Sequence, residues 1–486
     1  MMKLLIDKFA QALLGHCGLK PGEVVGLLLP NIPEYILISH GITAAGLTIT
    51  SVNPLYTPDE VKRQFQNAGV KAIVTIELFL EVVLTIAPEL PGYRTTICAG
   101  GEDDLSKNVH GLQSLLMASH EAELPGISPL DLALLPYSSG TTGLPKGVML
   151  SHLNLVSNLV QLEIKDFCAL LPEELNQKAL TVLPMFHIYG FNAIMNSCVK
   201  MGIHLVSLPK FTPEDYIKAL VEHRPYFLFV VPSLLLFLAS HPAVTKEHLA
   251  SVRTITSGAA PATEGLIQKF QEKAGRDVLI RQGYGMTESA PVTLFTPRNA
   301  PSSKKDTAGV LLPNTEAKVV SLSTGEALGP HKSGELLVRG PQVMAGYLNN
   351  EKATEETLTE DGWLRTGDVV YYDEDGYFFI VDRCKELIKV KGNQVSPTEL
   401  ENIILEIPGV ADVAVVGIPD TLAGELPRAF VVRRNDAKVT EEDVLKHVHP
   451  KVATYKKIAG GIKFIDSIPR NPSGKILRNE LKIAKC

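Results

Sequence analysis

The chain has 486 residues, 45% apolar and 21% charged, too long for one ordinary core and balanced like a globular protein of two or three domains. Its formal net charge of -6 supplies no basic field, which argues against nucleic-acid binding and favours small-molecule chemistry. The six cysteines (Cys17, Cys98, Cys168, Cys198, Cys384, Cys486) include no C-x-x-C pair, so neither a disulfide framework nor a zinc site is expected, and a reducing compartment fits.

The start, MMKLLIDKFAQALLGHCGLK, has neither a continuous apolar core nor a small-residue cleavage site, so no signal peptide is read and a cytoplasmic location is expected. A peroxisomal location is the alternative; the final Ala484-Lys485-Cys486 resembles such an address only loosely. From Glu23 onward, strand-like runs (VVGLLLP, KAIVTI, TTICAG) alternate with helical stretches, which predicts parallel strands with crossover helices. The rhythm returns in KALTVLP, GIHLVSL, YFLFVV and VRTITSG. The longest apolar stretch, Phe227 to Ala239, is too short to span a bilayer. It predicts a buried strand, then a helix with Pro232 at its first position, and no transmembrane segment.

After about Pro301, EAKVVSLSTGEALGPHKSGELLVRG and YYDEDGYFFIVDR predict a small β-rich, barrel-like section. The last hundred or so residues predict a small α+β domain. The turn residues Asp373, Asp375 and Gly376 and the Lys-rich segment behind them divide the chain into 1–382 and 383–486. From Cys384 onward there are 17 Lys and Arg against 13 Asp and Glu, so the negative excess lies in the larger part. A basic end suits polyanionic substrates; lysines that only solubilise a small domain give the same composition.

The strongest local signal is Tyr137 to His152, YSSGTTGLPKGVMLSH. Ser138, Ser139, Gly140, Thr141 and Thr142 present small hydroxyl side chains and accessible backbone N–H groups, and Lys146 adds a point charge, the chemistry of a phosphate-gripping loop. It is not a Walker A loop, because Lys146-Gly147 stands where G-K-[ST] is required. In QGYGMTES, Gly283 and Gly285 permit close backbone approach, Tyr284 offers a flat face, and Thr287 and Glu288 offer oxygen ligands. Asp368 in RTGD reads as a carboxylate in a turn, and Arg383 begins a cationic run. A helix cap and a surface ion pair are the plain alternatives for these two. His187 in LPMFHIYG follows a strand-like run, so it is expected at a strand's carboxyl end, where α/β proteins build ligand sites. Lys475 lies on a Pro/Gly-bounded loop in IPRNPSGKILR.

These segments, together with SGAAP, GWLRTGD and the run from Val381 to Glu401, stand in the order of the adenylate-forming superfamily of acyl-CoA synthetases, 4-coumarate-CoA ligases and firefly-type luciferases, which the chain resembles over nearly its whole length. The resemblance is greatest to the 4-coumarate-CoA ligase and luciferase-like branch. It implies ATP-dependent activation of an aryl or fatty acid as acyl-AMP, followed by transfer to coenzyme A, with ATP, Mg2+ and CoA as co-substrates and cofactor and no obligatory protein partner. It makes Tyr284 an adenine-stacking residue, Thr287 an α-phosphate contact and Glu288 a magnesium ligand. Asp368 and Arg383 become ribose contacts, and Gln282, Gly283 and Ala260 further nucleotide contacts. It places His187 at the substrate carboxylate, and Tyr189, Ser257, Gly258 and Ala259 along the acyl pocket, where apolar residues around Tyr189, Phe191 and Val292 suit an aryl or aliphatic acid.

By the same resemblance, Lys475 is the adenylation catalyst and Lys389 serves the thioester step. Lys210, Lys391 and Gly392 meet CoA, and Lys385 is the hinge about which a mobile C-terminal domain turns. Relatives usually carry several tens of residues before the segment equivalent to Met1, so a shortened N-terminus is expected. The alternatives are a luciferase-like adenylating monooxygenase and a truncated, non-catalytic family member.

Overall fold

The computed structural model describes residues 2–138, 145–168, 177–304, 307–391, 393–434, 437–471 and 474–483, and among these the chain forms four sheets. In the first, Val24–Leu28, Thr48–Ser51, Val70–Ile76, Thr95–Ala99 and Val109–Gly111 run parallel, as the alternating runs require. Each crossover helix covers a strand's apolar side. Pro58–Ala68 starts on a Thr57/Glu60 capping box and stops at left-handed Gly69, and it buries Val61 and Phe65. The far edge is antiparallel: Lys146–Ser151 pairs with Leu132–Leu134 and with Gly346–Tyr347, which arrives some two hundred residues later in the chain.

The second sheet places Lys178–Thr181, His204–Ser207, Phe227–Val230, Thr254–Ser257 and Leu279–Gly285 in parallel. Its central strand Phe227–Val230 is buried throughout, and Pro232 opens the helix Pro232–Ser240 as expected, since proline at the first helical position loses no intrahelical bond. The sites described below lie beyond the carboxyl ends of these strands, where the chain must leave the sheet.

The β-rich section is an antiparallel sheet of Glu316–Val320, Gly334–Arg339, Leu364–Tyr372 and Phe378–Arg383. The barrel-like expectation gives way to an open sheet. Its first and last strands lie at opposite edges, and four strands with ordinary twist do not close on themselves. Asp368 lies within the strand Leu364–Tyr372 rather than in a turn. The pairing register slips there and Gly367 takes φ 70°, so RTGD has turn composition because a bulge needs the same left-handed glycine.

Beyond Arg383, a four-residue connection leads to the last sheet, built from Ile388–Val390, Asn393–Val395, Val410–Asp420, Gly424–Arg433 and Ile462–Phe464. Helix Pro397–Leu405 packs on it and is capped by Ser396, whose Oγ donates to Asp382 Oδ2 at 2.6 Å. A buried ion-pair group ties the end of the chain to this unit: Arg478 Nε donates to Glu386 at 2.8 Å, and its Nη1 pairs with Glu401. No helix among the described residues is long and apolar enough to cross a membrane.

Candidate active site

The glycine-rich signature falls partly outside the described residues: Ser139, Gly140, Thr141 and Thr142 are not described, and neither is Gly392. Its two ends are described. Ser138 pairs with Lys146 across the short antiparallel link of Tyr137–Ser138 to Lys146–Ser151, which brings these two ends together. Lys146 Nζ lies 4.1 Å from the centroid of the Tyr347 ring. The Tyr347 hydroxyl donates to Glu288 Oε1 at 2.8 Å. Two segments read separately in the sequence are therefore joined through a tyrosine that the sequence reading missed. The only local signal for it was an aromatic after Gly346 in MAGYL, too common a pattern to single out.

Thr287 and Glu288 open a short 3-10 turn, and both are buried. A buried carboxylate beside a hydroxyl suits Mg2+, a hard cation that takes one or two carboxylates and otherwise phosphate oxygens and water. Just before them, a Cβ at Gly285 would drive into the Pro291 carbonyl, so only glycine fits. A Cβ at Gly283 would sit 3.0 Å from the Phe295 ring.

Tyr284 donates its hydroxyl to Asp368 Oδ2 at 2.6 Å, and Arg383 Nε stands 3.4 Å from Asp368 Oδ1. The bulge at Gly367 lets Asp368 and Arg383 sit opposite each other on neighbouring strands. Asp368 is only 6% exposed. Burial raises its pKa, while Arg383, the Tyr284 hydrogen bond and Lys475 work in the opposite direction. Tyr284 is pushed well above its usual range by burial and by the Asp368 charge, so it is a donor.

Lys475 comes from the other side of the turn at Lys385. Its loop is held by Asn471, whose Oδ1 accepts the Lys475 N–H at 2.9 Å. At Gly474 a Cβ would lie 3.2 Å from Val231 Cγ2, so this loop rests on the start of the Pro232–Ser240 helix. Burial lowers the Lys475 pKa and Arg383 lowers it further, against the pull of Glu386 and Asp368. Lys475, Arg383 and Asp368 thus share one electrostatic environment although they come from both parts of the chain.

Val231 also lines a pocket with Leu183, Pro184, His187, Tyr189, Gly190 and Ala259. The pocket is shaped by close backbone approach. A Cβ at Gly190 would strike the Pro184 carbonyl, and one at Gly258 would sit 3.2 Å from the Tyr189 ring. Ala259 takes φ 67° where the chain leaves the strand Thr254–Ser257. Ser257 is buried at that strand's end, and Ala260 is exposed in the loop. The loop is braced by Gln282, whose side chain both accepts from Ala262 N–H at 2.7 Å and donates to Ala262 C=O at 3.0 Å. Tyr189 donates to Thr256 C=O at 3.2 Å. Phe191 turns into the core against Tyr35, and Val292 packs with Phe167, Phe295 and Leu312.

The His187 Nδ1 accepts the Tyr189 N–H at 3.3 Å, which leaves Nε2 to carry the proton of a neutral ring. The residue is partly buried, the surrounding protein strips most of the ring's hydration, and burial pushes its pKa down to about 4. An unfolded histidine titrates near ~6.5. Between these values the unfolded chain binds the extra proton, so this contribution destabilises the fold as pH drops through the window and vanishes above it. The melting temperature is therefore expected to decline less steeply on acidification to about pH 4 in His187→Asn than in the parent. Parallel curves would remove His187 as the cause.

Four expected residues are not brought here. Lys389 and Lys391 are exposed and engaged within the last sheet, where the Lys389 N–H donates to Glu425 at 2.9 Å and the Lys391 N–H to Ala423 C=O at 2.8 Å. Lys210 is exposed after the strand His204–Ser207. Lys385 is exposed in the turn between two sheets.

Residues 2–348 match the model of the AMP-binding enzyme family, and residues 399–475 match that of the AMP-binding enzyme C-terminal domain. Among relatives, a probable 4-coumarate–CoA ligase 1 of Dictyostelium discoideum is 40% identical over 98% of this chain and 88% of its own length. Among solved structures, ATP-bound MatB from Rhodopseudomonas palustris superposes with a TM-score of 0.88 at 28% identity, over 99% of this chain and 92% of that one. Its apo form, with the same identity and coverage, gives 0.77. The chain belongs to the AMP-binding enzyme family.

Proposed function

We propose that this protein is an ATP-dependent carboxylate–CoA ligase that activates an aryl acid of the hydroxycinnamic class. The observation that carries the reading is that the Lys475 loop abuts Val231 of the His187 pocket, with Lys475 within the electrostatic reach of Arg383 and Asp368. The aryl acid is inferred from the relatives named as 4-coumarate–CoA ligases and from a pocket walled by Tyr189 and small residues.

In the first half-reaction a carboxylate oxygen attacks the α-phosphorus of ATP and pyrophosphate leaves. Two anions must meet, so positive charge placed where charge concentrates lowers the barrier. Lys475 and Arg383 supply it. The neutral His187 offers its Nε2–H to the carboxylate, which orients the acid without adding a charge. Asp368 presents two acceptor oxygens to the vicinal ribose hydroxyls. Ser138 and Lys146, with the signature loop between them, hold the pyrophosphate. Thr287 meets the α-phosphate, and Glu288 would hold the Mg2+, which neutralises phosphate charge when bound.

In the second half-reaction the CoA thiolate attacks the acyl carbonyl and AMP leaves. The unit from Arg383 onward turns about Lys385, withdrawing Lys475 and presenting Lys389 and Lys391. The greater likeness to ATP-bound than to apo MatB supports an adenylation-ready arrangement here. A cytoplasmic location agrees with the free thiols of Cys17, Cys98, Cys168, Cys198 and Cys384.

The test is release of pyrophosphate and AMP from ATP by purified protein across a panel of hydroxycinnamic and fatty acids, with and without CoA. Acid-dependent pyrophosphate with CoA-dependent AMP is expected, strongest with hydroxycinnamates. A folded protein that releases neither overturns the ligase reading, and a preference for fatty acids overturns the aryl assignment.

A further inference from the structure

Tyr347 touches two groups of opposite charge that the chemistry needs kept apart. We infer that Tyr347 is a positioning residue that orients Glu288 for Mg2+ and holds Lys146 away from that carboxylate until the nucleotide arrives. The inference rests on the ATP-dependent reading.

The geometry is specific. The hydroxyl donates to Glu288 Oε1 at 2.8 Å, while the ring face carries the Lys146 ammonium at 4.1 Å. A tyrosine is suited to this because its hydroxyl donates to an anion and its π-face attracts a cation. Were Lys146 to pair directly with Glu288, each would neutralise the other, and Mg2+ and the phosphates would have to break that pair. With Tyr347 engaging both, the carboxylate gains one hydrogen bond that fixes its orientation, and the ammonium takes a weaker partner that a phosphate readily displaces.

The side chain is also held firmly. Tyr347 is 5% exposed and its N–H donates to Thr354 Oγ1 at 2.9 Å. Its strand pairs with the one that begins at Lys146, with Tyr347 opposite Val148 and the Leu348 N–H donating to Gly147 C=O at 2.8 Å. Backbone pairing therefore sets the distance from Lys146 to the ring. The Met344 N–H donates to Glu288 C=O at 2.9 Å, so the same segment also grips the backbone of Glu288.

The test is calorimetric titration of ATP into the whole protein at a series of Mg2+ concentrations, with no acid present, so that no turnover is needed. Tyr347→Phe keeps the ring and removes the hydroxyl. It is expected to raise the Mg2+ concentration for half-maximal tight ATP binding by about 10-fold, as loss of a partner to a metal-binding carboxylate does, with Mg2+-free ATP binding and melting temperature near those of the parent. In the Glu288→Gln background the same change should add nothing to the Mg2+ dependence. An unaltered Mg2+ dependence in folded Tyr347→Phe, or an equal effect in the Glu288→Gln background, overturns the inference. A lowered melting temperature with unchanged Mg2+ dependence reduces Tyr347 to a packing residue. Failure of the parent itself to bind Mg2+ and ATP would instead overturn the ATP-dependent reading, and this inference with it.

Discussion

Lys475→Ala is expected to slow acid-dependent pyrophosphate release by about 10³-fold, the scale of removing one aligned electrostatic group from a developing charge. Thioester formation from supplied acyl-AMP should stay near the parent rate. The division follows from position. Lys475 sits in the field of Arg383 and Asp368 and near the pocket, so its charge bears on the step in which two anions meet. The second step brings a thiolate to a neutral carbonyl after the C-terminal unit has turned, and the proposed site then presents Lys389. The substitution should not unfold the loop, because Asn471 holds the backbone of residue 475 through its N–H and its carbonyl. Stopped-flow measurement of each half-reaction decides the matter. Equal loss of both would contradict the two-face arrangement.

The second large effect is expected at Asp368. Asp368→Asn should raise the KM for ATP by about 10²-fold, because in the proposed site two hydrogen bonds between a charged group and the ribose become neutral ones, each originally contributing about 1.5–3 kcal/mol. The change also leaves the half-buried Arg383 without its nearest carboxylate and disturbs the Tyr284 hydroxyl. A specific comparison separates ribose recognition from general damage: the parent should discriminate strongly against 2′,3′-dideoxy-ATP, and the variant should not. A variant that keeps the parent's discrimination while losing affinity would assign Asp368 to structure alone.

Much of the fold was legible from local chemistry. The parallel strands were readable because fully buried strands must be continuous apolar runs, as in Phe227–Val230, and the following helix because Pro232 cannot sit deeper in one. The site motifs were legible for a related reason: close approach of a backbone to phosphate, or to another backbone, demands glycines at fixed places, and Gly285 and Gly190 fill such positions.

Where local chemistry serves two structures equally well, the reading failed. RTGD has turn composition, yet the same left-handed glycine builds a bulge inside a strand, and only the pairing of Asp368 with Arg383 selects the strand. Strand-like pieces after Pro301 carry no signal for whether their edges meet, since closure depends on stagger and twist summed over the sheet. Phe191 has the composition of a pocket wall and the position of a core residue.

The sequence by itself determined the family, the order of the motifs and the groups available for chemistry, because these reside in side-chain type and short-range backbone need. The tertiary structure alone decided how those groups meet. The Tyr284–Asp368 and Tyr347–Glu288 bonds join residues 84 and 59 positions apart, and the Lys475 loop reaches Val231 from the far end of the chain. Contacts of that kind depend on how sheets stack and which edge a late strand joins, and the free energy that selects them is spread over the whole core rather than written at any one position.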